Sequence, residues 1–387
     1  MPKARLPRIK PDRDFSPALP MRIGFISSDL SNQNGWATYS LGLIRALRAR
    51  GLDATVVASR NSPDAEFAIH RFLPTVTPPE RHTFFKSMRQ VFAVRRLLRH
   101  CDIIHCTAEP LAILAAAVAG DRPLFVTAHG SYVNLPRMRG FPVNELYRRS
   151  FARATLICVS NYTAGVATAL MPEARVHVIP NGADVSGFAQ APAFQAEKRA
   201  PTIVAIGEIK PRKGTLQLVE AVARVREVIP DVQCLIMGPP QFGSAYTTTV
   251  QAAIDAHSLQ ENLQIMGFVD EEVKRAWLAA ADVLALPAMN DGLFFEGFGL
   301  TLYEAGACGT AVLGTDGCGV ADAIEHGVTG LIVAQDNIAE ELPRALLELL
   351  SNPRKASMMG AAGRERALRQ TWDRVAEQVM RLYDGAI

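Results

Sequence analysis

The sequence predicts an α/β protein in which two doubly wound domains, each built on a parallel sheet, face a cleft. The length of 387 residues fits two domains of ordinary size, each able to bury its own core. Short apolar runs alternate with helical patterns along the whole chain, which is typical of repeated β-α units. The alternation is lost only over Phe188–Pro201, which has no clear period and contains two further prolines. Ligands of such sheets bind beyond the carboxyl ends of the strands, so the cleft is the expected site.

The interruption divides the chain into four segments. A basic, proline-rich arm is expected over residues 1–20, the first domain over 21–190, the second over 200–370, and a C-terminal helix over 371–387. In the first domain the predicted strands are Met21–Ser28, Ala54–Ser59, Asp102–Cys106, Leu124–His129, Ala154–Ser160 and Arg175–Pro180. In the second they are Thr202–Gly207, Gln233–Gly238, Leu263–Val269, Asp282–Pro287, Thr310–Thr315 and Gly330–Val333. Helices predicted between them include Thr38–Arg50, Leu111–Ala119, Glu145–Ala152 and Thr215–Ile229.

Charge is distributed unevenly between the two halves. Residues 1–190 contain 24 Lys+Arg and 13 Asp+Glu, a net charge of +11, whereas the remainder has a net charge of −8. The basic half favours anionic partners. Within it, Lys86–Arg99 has helical spacing with an apolar and a basic face. Two interpretations stay open: a surface helix with its apolar side in the core, and a segment in peripheral contact with an anionic membrane.

Composition also excludes several classes of protein. The longest apolar run, Leu111–Ala119, is far shorter than the ~20 residues of a membrane span. The arm at 1–20 lacks the apolar stretch of a secretory signal. Six cysteines without a CxxC pair indicate reduced thiols, so we expect a cytoplasmic protein, at most peripheral at the inner face of the membrane. Sparse aromatic residues and the lack of a recognition motif argue against a nucleic-acid partner.

The segment from Asn290 to Glu304 is the most informative in the chain. Glu296 and Glu304 stand eight residues apart, with glycines and an apolar helix between them. A helix beginning near Gly299 would present unpaired N–H groups and a partial positive charge to the loop before it. Such a helix end favours a diphosphate, and the two carboxylates could hold hydroxyl groups on either side of it. A nucleotide-sugar has this arrangement of groups.

The pattern E-G-F-G-L-x-x-x-E-A-x-A-x-G, preceded by the predicted strand Asp282–Pro287, resembles the glutamate-x7-glutamate motif of the retaining GT-B glycosyltransferases of family 4. The resemblance covers Met21 to Tyr383 and is strongest from Thr202 to Val333. It implies a GT-B fold whose last helix crosses back to the first domain. It also implies that Glu304 binds the ribose, and that the sugar and phosphate are held by Glu296, Gly297, Phe298, Gly299 and Leu300.

A second motif, Gly207-Glu-Ile-Lys-Pro-Arg-Lys-Gly214, resembles the G-R-x-x-x-x-K-G loop in which this family grips the diphosphate. Lys213 matches the lysine of that loop. Glu208 stands where the family has an arginine, and an acid cannot neutralise a phosphate. The resemblance therefore leaves the missing charge to Lys210 or Arg212.

Three further positions carry the resemblance. His129 ends a predicted strand, as does a family histidine that reaches the transferred sugar. Gly35 lies in a loop similar to the glycine-rich loop at the phosphate and acceptor. The backbone of Gly267, Phe268 and Val269 is similar to the segment that borders the nucleotide base. His129, Glu296 and Lys213 are thus the expected catalytic residues.

The predicted function is that of a retaining, metal-independent glycosyltransferase. It would move a sugar, with a hexose expected, from a UDP- or GDP-sugar to a hydroxyl of a glycan or lipid-linked acceptor, as in polysaccharide or glycolipid synthesis. No cofactor and no metal site are expected. Two alternatives stay open. One is a nucleotide-sugar epimerase or hydrolase of the same fold, and the other is a catalytically silent nucleotide-sugar-binding protein, which the departure at Glu208 keeps in view.

Overall fold

The structure is a computed structural model, and it describes residues 21–31, 34–76, 83–189, 195–240 and 244–387. The predicted arm at 1–20 and the middle of the predicted linker, residues 190–194, lie outside these ranges. Within them the chain forms two parallel sheets with helices, and each sheet belongs to one Rossmann-like domain.

The first sheet has seven strands in the order β3-β2-β1-β4-β5-β6-β7, and all neighbouring pairs are parallel. Its strand order reverses between β1 and β4, which creates a crevice at their carboxyl ends. The strands are β1 (Arg22–Ile26), β2 (Asp53–Ser59), β3 (Ile69–Leu73), β4 (Ile103–Cys106), β5 (Leu124–Ala128), β6 (Thr155–Cys158) and β7 (Arg175–Val178).

The second sheet has six strands in the order β10-β9-β8-β11-β12-β13, again all parallel. Its order reverses between β8 and β11. The strands are β8 (Thr202–Ile206), β9 (Gln233–Met237), β10 (Leu263–Gly267), β11 (Val283–Leu286), β12 (Ala311–Thr315) and β13 (Gly330–Val333).

Helices connect the strands and cover both sheets. In the first half they are α1 (Gly35–Ala49), α2 (Thr83–Met88), α3 (Val91–Leu97), α4 (Ala112–Ala119), α5 (Leu135–Met138), α6 (Val143–Arg153), α7 (Asn161–Leu170) and α8 (Val185–Ala189). In the second half they are α9 (Thr215–Arg226), α10 (Ala245–Ala256), α11 (Glu271–Ala280), α12 (Leu300–Cys308), α13 (Val320–Ala323), α14 (Ile338–Leu350), α15 (Pro353–Arg369) and α16 (Trp372–Asp384). Among these residues no helix is both long and apolar enough to cross a bilayer.

The twelve strands predicted from sequence all occur, but β3 was not predicted. Its sequence, Ile-His-Arg-Phe-Leu, carries two polar residues, and it lies at the edge of the sheet where one side of the strand stays partly exposed. An apolar-run criterion misses such a strand. The amphipathic stretch Lys86–Arg99 is also not one helix, because a turn at Arg89–Gln90 separates α2 from α3.

The last helix, α16, packs on the first domain rather than on the second. Its Trp372 ring lies against Gly42 of α1 and in edge contact with Tyr39. The hydroxyl of Tyr383 is 2.5 Å from Nδ1 of His105 on β4 and is fully buried. One hydrophobic cluster runs from this domain into the cleft side of the second, where it includes Phe295. The two domains therefore share packed surface at the cleft.

Candidate active site

A cluster of charged side chains lies at the carboxyl ends of β8 and β11 in the second domain. Lys213 ends the turn after β8, and its Nζ lies 2.9 Å from Oε2 of Glu296. Arg212 donates to the same oxygen. Glu296 belongs to the loop between β11 and α12, and its side chain is only 13% exposed. Two cations and one carboxylate are thus held together at the point where the strand order reverses.

The surroundings fix the ionisation of this cluster. Burial alone would raise the pKa of Glu296, but Lys213 and Arg212 outweigh it and hold the pKa at about 2. Burial lowers the pKa of Lys213, and its pairing with Glu296 opposes that effect. The cluster brings two basic side chains to one carboxylate. This excess of basic groups suits an anionic ligand.

The helix that follows this loop begins as the sequence predicts. Gly299 has φ +81°, a left-handed conformation that glycine adopts without strain, and α12 starts at Leu300. The first N–H groups of an α-helix have no partner within the helix and carry part of its positive dipole. These groups add to the field of Lys213 and Arg212 near Glu296.

Glu304 lies on the first turns of α12, and Lys274 of α11 faces it. Nζ of Lys274 is 3.1 Å from Oε2 of Glu304 and 2.9 Å from Oε1 of Glu271. It also lies 5.2 Å from the ring centroid of Phe188. Burial would lower the pKa of Lys274, but Glu304 and Glu271 raise it above its usual value. Lys274 therefore holds the Glu304 side chain in a fixed position.

The first domain contributes His129, which directly follows β5. Its Nε2 donates to the carbonyl oxygen of Thr107 at 3.0 Å, and its backbone N–H donates to Oε1 of Glu109 at 2.6 Å. The imidazole packs edge-on against Tyr39, with ring centroids 4.7 Å apart. Burial lowers the pKa of His129 to about 3, so the imidazole is neutral at physiological pH.

The two halves of the site touch through backbone and small side chains. A Cβ at Gly297 would lie 1.7 Å from the carbonyl oxygen of His129, so only glycine fits beside that strand end. Oγ of Ser131 donates to the carbonyl of Phe295 at 2.7 Å and accepts from its N–H at 2.8 Å. Asn134 donates to the carbonyl of Leu293 at 3.0 Å. The first domain thereby holds the loop that carries Glu296.

Aromatic rings line the first-domain wall beside this loop. Trp36, the second residue of α1, lies with its ring centroid 5.1 Å from that of Tyr132. Tyr132 in turn lies 6.5 Å from Phe294, which is 42% exposed on the facing loop. Burial raises the pKa of Tyr132, and Glu109 adds to that increase. Tyr132 is therefore a neutral phenol on the cleft wall.

The remaining predicted residues lie around the same cleft. Gly35 is the first residue of α1, and a Cβ there would meet nothing within 4 Å. Gly267 ends β10 with φ +70° and open space around it, followed by the 63% exposed Phe268 and the partly buried Val269. Neither glycine is required by packing of the protein itself. The second-domain residues Phe298, Gly299 and Leu300 lie on the loop and helix start described above.

Glu208, which stands where the family motif has an arginine, pairs with a neighbouring lysine. Nζ of Lys210 lies 2.6 Å from Oε2 of Glu208. Lys210 is thus occupied next to Glu208, whereas Arg212 and Lys213 both point to Glu296. Of the two replacements that the sequence suggested for the missing arginine, Arg212 lies in the cluster.

Sequence reasoning missed three residues near the site. Lys274 lies 30 positions from Glu304 on another helix, and Glu109 lies 20 positions from His129, so no local pattern connects either pair. Tyr132 follows His129 closely but carried no motif. The run of glutamates at Glu271 and Glu272 at the start of α11 could have drawn attention to a cation there.

Two family models match the chain. The model described as glycosyl transferases group 1 matches residues 189–366, and the model described as glycosyltransferase family 4 matches residues 33–186. Among curated proteins, the GDP-mannose-dependent alpha-(1-6)-phosphatidylinositol monomannoside mannosyltransferase of Mycobacterium tuberculosis is 31% identical over 304 residues. That alignment covers 74% of this chain and 77% of the relative. The phosphatidyl-myo-inositol mannosyltransferase of Mycobacterium leprae is 30% identical over 382 residues, 94% of this chain and 96% of the relative.

Solved structures share the fold at lower identity. Sucrose-phosphate synthase from Thermosynechococcus elongatus superposes with a TM-score of 0.78 at 22% identity, covering 94% of this chain and 98% of that chain. Anabaena Alr3699/HepE in complex with UDP-glucose superposes with a TM-score of 0.74 at 18% identity, covering 94% of this chain and 100% of that chain. These similarities concern the architecture of the two domains and the cleft.

Proposed function

The chain belongs to the glycosyl transferases group 1, with the GT-B fold, and on this premise we propose that it is a retaining, metal-independent mannosyltransferase. Its donor is GDP-mannose and its acceptor a hydroxyl of a phosphatidylinositol-based lipid. The observation that carries the proposal is the buried cluster of Lys213, Arg212 and Glu296 beside the start of α12. It combines diphosphate-binding cations with a carboxylate that can hold sugar hydroxyls.

Each residue of the second domain takes one part of the donor. Lys213, Arg212 and the N–H groups at Gly299 and Leu300 neutralise the leaving diphosphate, which removes the need for a divalent cation. Glu296 holds hydroxyls of the transferred sugar, with the backbone of Gly297 and Phe298. Glu304, held in place by Lys274, accepts hydrogen bonds from the ribose hydroxyls. Gly267, Phe268 and Val269 border the base.

The first domain supplies the other face of the sugar. His129 lies against Gly297, next to Glu296, and its neutral imidazole can take part in hydrogen bonds to hydroxyls. Gly35 leaves open space beside the cleft where phosphate and acceptor approach. The acceptor oxygen bonds to the anomeric carbon on the face from which the diphosphate oxygen departs. The proton of the acceptor hydroxyl passes to the departing phosphate oxygen, so the configuration is retained and no protein base is needed.

The choice of donor and acceptor rests on the relatives and on charge. The relative from Mycobacterium tuberculosis is described as a GDP-mannose-dependent phosphatidylinositol monomannoside mannosyltransferase, and the one from Mycobacterium leprae as a phosphatidyl-myo-inositol mannosyltransferase. The net charge of +11 over residues 1–190 fits an anionic phosphoinositide acceptor. A hexose donor of the GDP class is therefore the first to test, with UDP-sugars as comparison.

A lipid acceptor also gives the exposed face of α2 and α3 a function. Phe85 is 60% exposed and Phe92 82% exposed, and Phe141 before α6 is 86% exposed. A surface cavity of about 640 Å³ is lined by Phe85, Lys86, Met88 and Arg89. Helix α2 packs on the short 3-10 helix Glu109–Leu111, whose first residue contacts His129. We place a peripheral contact with an anionic membrane on this face, continuous with the acceptor side of the cleft.

The test is a transfer assay with purified protein, GDP-mannose and phosphatidylinositol in mixed micelles, run with and without EDTA. We expect a lipid that has gained one hexose, with an α-linkage by NMR and a rate unaffected by EDTA. Donor consumption without acceptor would support the epimerase or hydrolase alternative instead. Saturable GDP binding without turnover on glycan or lipid acceptors would support the silent binding protein.

A further inference from the structure

A carboxylate lies buried directly beneath the first-domain wall of the cleft. Glu109 follows β4 as the first residue of the 3-10 helix Glu109–Leu111, and its side chain is fully buried. Its Oε1 accepts the 2.6 Å hydrogen bond from the His129 N–H, and the Trp36 side chain and the Gly130 backbone also interact with its carboxyl group. Burying a carboxyl group this deeply is costly for folding. Burial accordingly raises the pKa of Glu109 to about 7.

The same segment also fixes the imidazole of His129. The carbonyl oxygen of Thr107 accepts from Nε2 of His129 at 3.0 Å. Thr107 is itself tied down, because its hydroxyl lies 2.8 Å from Oγ of Ser27 and 2.6 Å from Oγ of Ser40. His129 is therefore held at two points, backbone and ring, by a segment only three residues long.

The position of the His129 peptide matters for the facing domain. The carbonyl oxygen of His129 and the Cα of Gly130 lie so close to Gly297 that no side chain fits there. Gly297 directly follows Glu296. A shift of the strand end would therefore move the contact on which the donor loop rests, and displacements of about 1 Å are enough to impair a catalytic site.

We propose that Glu109 is a positioning residue for sugar transfer, whose hydrogen bond to the His129 N–H fixes the His129–Gly130 peptide against Gly297. It does not touch the substrates in this arrangement; it acts through His129. Its kinetic consequence rests on the proposed function, whereas the fixed peptide is a property of the protein without substrates. The two parts can be measured separately.

Three variants of Glu109 separate the effect of side-chain length from that of side-chain charge, and a fourth variant elsewhere is the control. Glu109→Gln keeps the acceptor oxygen at the same reach without the charge, and Glu109→Asp keeps the charge but is one methylene shorter. Glu109→Ala removes the interaction. Val56→Ala, a buried core change on β2 away from the site, is the control for general loss of stability.

Hydrogen exchange measured by mass spectrometry on the ligand-free protein gives the first readout. In Glu109→Ala and Glu109→Asp the segment spanning 128–131 should exchange about tenfold faster or more, because the His129 amide loses its acceptor. Glu109→Gln should stay close to the wild type there. Val56→Ala should leave this segment at the wild-type rate relative to the rest of its domain.

Transfer kinetics give the second readout. With GDP-mannose and phosphatidylinositol, kcat should fall about 100-fold in Glu109→Ala and Glu109→Asp, with KM for the donor nearly unchanged, and should recover to within about fivefold in Glu109→Gln. Equal impairment of Glu109→Gln and Glu109→Ala, or wild-type exchange and kcat in Glu109→Ala, would overturn the assignment. If Glu109→Ala does not fold, the Gln and Asp variants decide the question. If the wild type shows no transfer, the proposed function fails, and the exchange data still decide the role of Glu109.

Discussion

The two walls of the cleft differ in charge: the second domain contributes ion-paired side chains, and the first domain contributes neutral and aromatic ones. The second-domain wall is charged, and its ions are already paired: Lys213 and Arg212 with Glu296, and Lys274 with Glu304. The first-domain wall is neutral where it meets the cleft, because the pKa of His129 lies at about 3 and its neighbours are aromatic rings. A diphosphate needs compensating charge, whereas an acceptor hydroxyl needs placement.

This difference teaches which variants should affect which step. Fixed charges near the leaving group contribute most when negative charge develops on it, so they should control kcat. Carboxylates that hold ribose hydroxyls contribute equally to bound donor and transition state, so they should control affinity. Residues that shape the first-domain wall should act through geometry.

The largest effect is expected for Lys213→Ala and Glu296→Ala. Each should lower kcat by about 100- to 1,000-fold, or about 2–4 kcal/mol of transition-state stabilisation, because each removes a preorganised partner of the reacting groups. Initial rates at saturating GDP-mannose provide the measurement. Lys198→Ala removes a lysine that pairs with Asp282 outside the cleft and serves as the matched control. A wild-type rate in either site variant would mean that the charged wall does not act on the leaving group.

The next effect concerns stability and pH on the neutral wall. The pKa of Glu109 is raised from an ordinary 4.5 to about 7, so between those values the folded protein keeps a proton that the unfolded chain releases. Wild-type stability should therefore fall as pH rises from about 4.5 to 7, by up to about 3 kcal/mol for this group. Glu109→Gln should lose this dependence and be the more stable protein at pH 8. Urea unfolding at pH 5 and pH 8 measures the difference; parallel pH profiles of the two proteins would contradict it.

Lys274→Met should separate affinity from turnover on the charged wall. Without its cation, Glu304 is left buried and poorly held, so GDP binding should weaken about tenfold, or about 1.4 kcal/mol. The value of kcat at saturating donor should change little. Calorimetric titration with GDP gives the affinity, and Lys355→Met, which breaks a surface pair with Glu348, is the control. A loss in kcat with unchanged GDP affinity would contradict the assignment of Glu304 and Lys274 to donor binding rather than to turnover.

The smallest effect is expected for the membrane face. Replacing Phe85 and Phe92 together by Ser should reduce binding to vesicles of anionic phospholipid about tenfold. A phenylalanine ring contributes about 1.5–3 kcal/mol when it is fully buried, and these two rings would enter the membrane surface only in part. Cosedimentation measures the binding. Met358→Ser, at a 66% exposed position on α15, is the control. Turnover on an acceptor dispersed in detergent should remain, which separates docking from chemistry.

The charged wall could largely be predicted from the sequence, and the neutral wall could not. Glu296 and Lys213 lie in loops and Glu304 on the helix α12, all three within a fixed local pattern. The family resemblance that they carry is confirmed by both family models. Glycines there are dictated locally, as the positive φ of Gly299 illustrates. The pairing of Arg212 with Glu296 adds a contact over 84 positions that spacing does not reveal.

The neutral wall is assembled by tertiary packing. Glu109 belongs to a turn after β4 and contacts the end of β5, so its role depends on the strand order rather than on a motif. The sheet itself was predicted apart from β3, whose polar residues break the apolar pattern at the sheet edge. Buried polar contacts between distant segments leave no local pattern in the sequence, so they could not be predicted from a single sequence.

A crystal structure with GDP-mannose bound would test directly whether Lys213, Arg212 and the start of α12 bind the donor diphosphate. The diphosphate should lie against Nζ of Lys213, the guanidinium of Arg212 and the first N–H groups of α12, with the ribose on Glu304 and the mannose facing His129. A donor bound elsewhere, or a diphosphate that leaves Lys213 and α12 untouched, would contradict this placement.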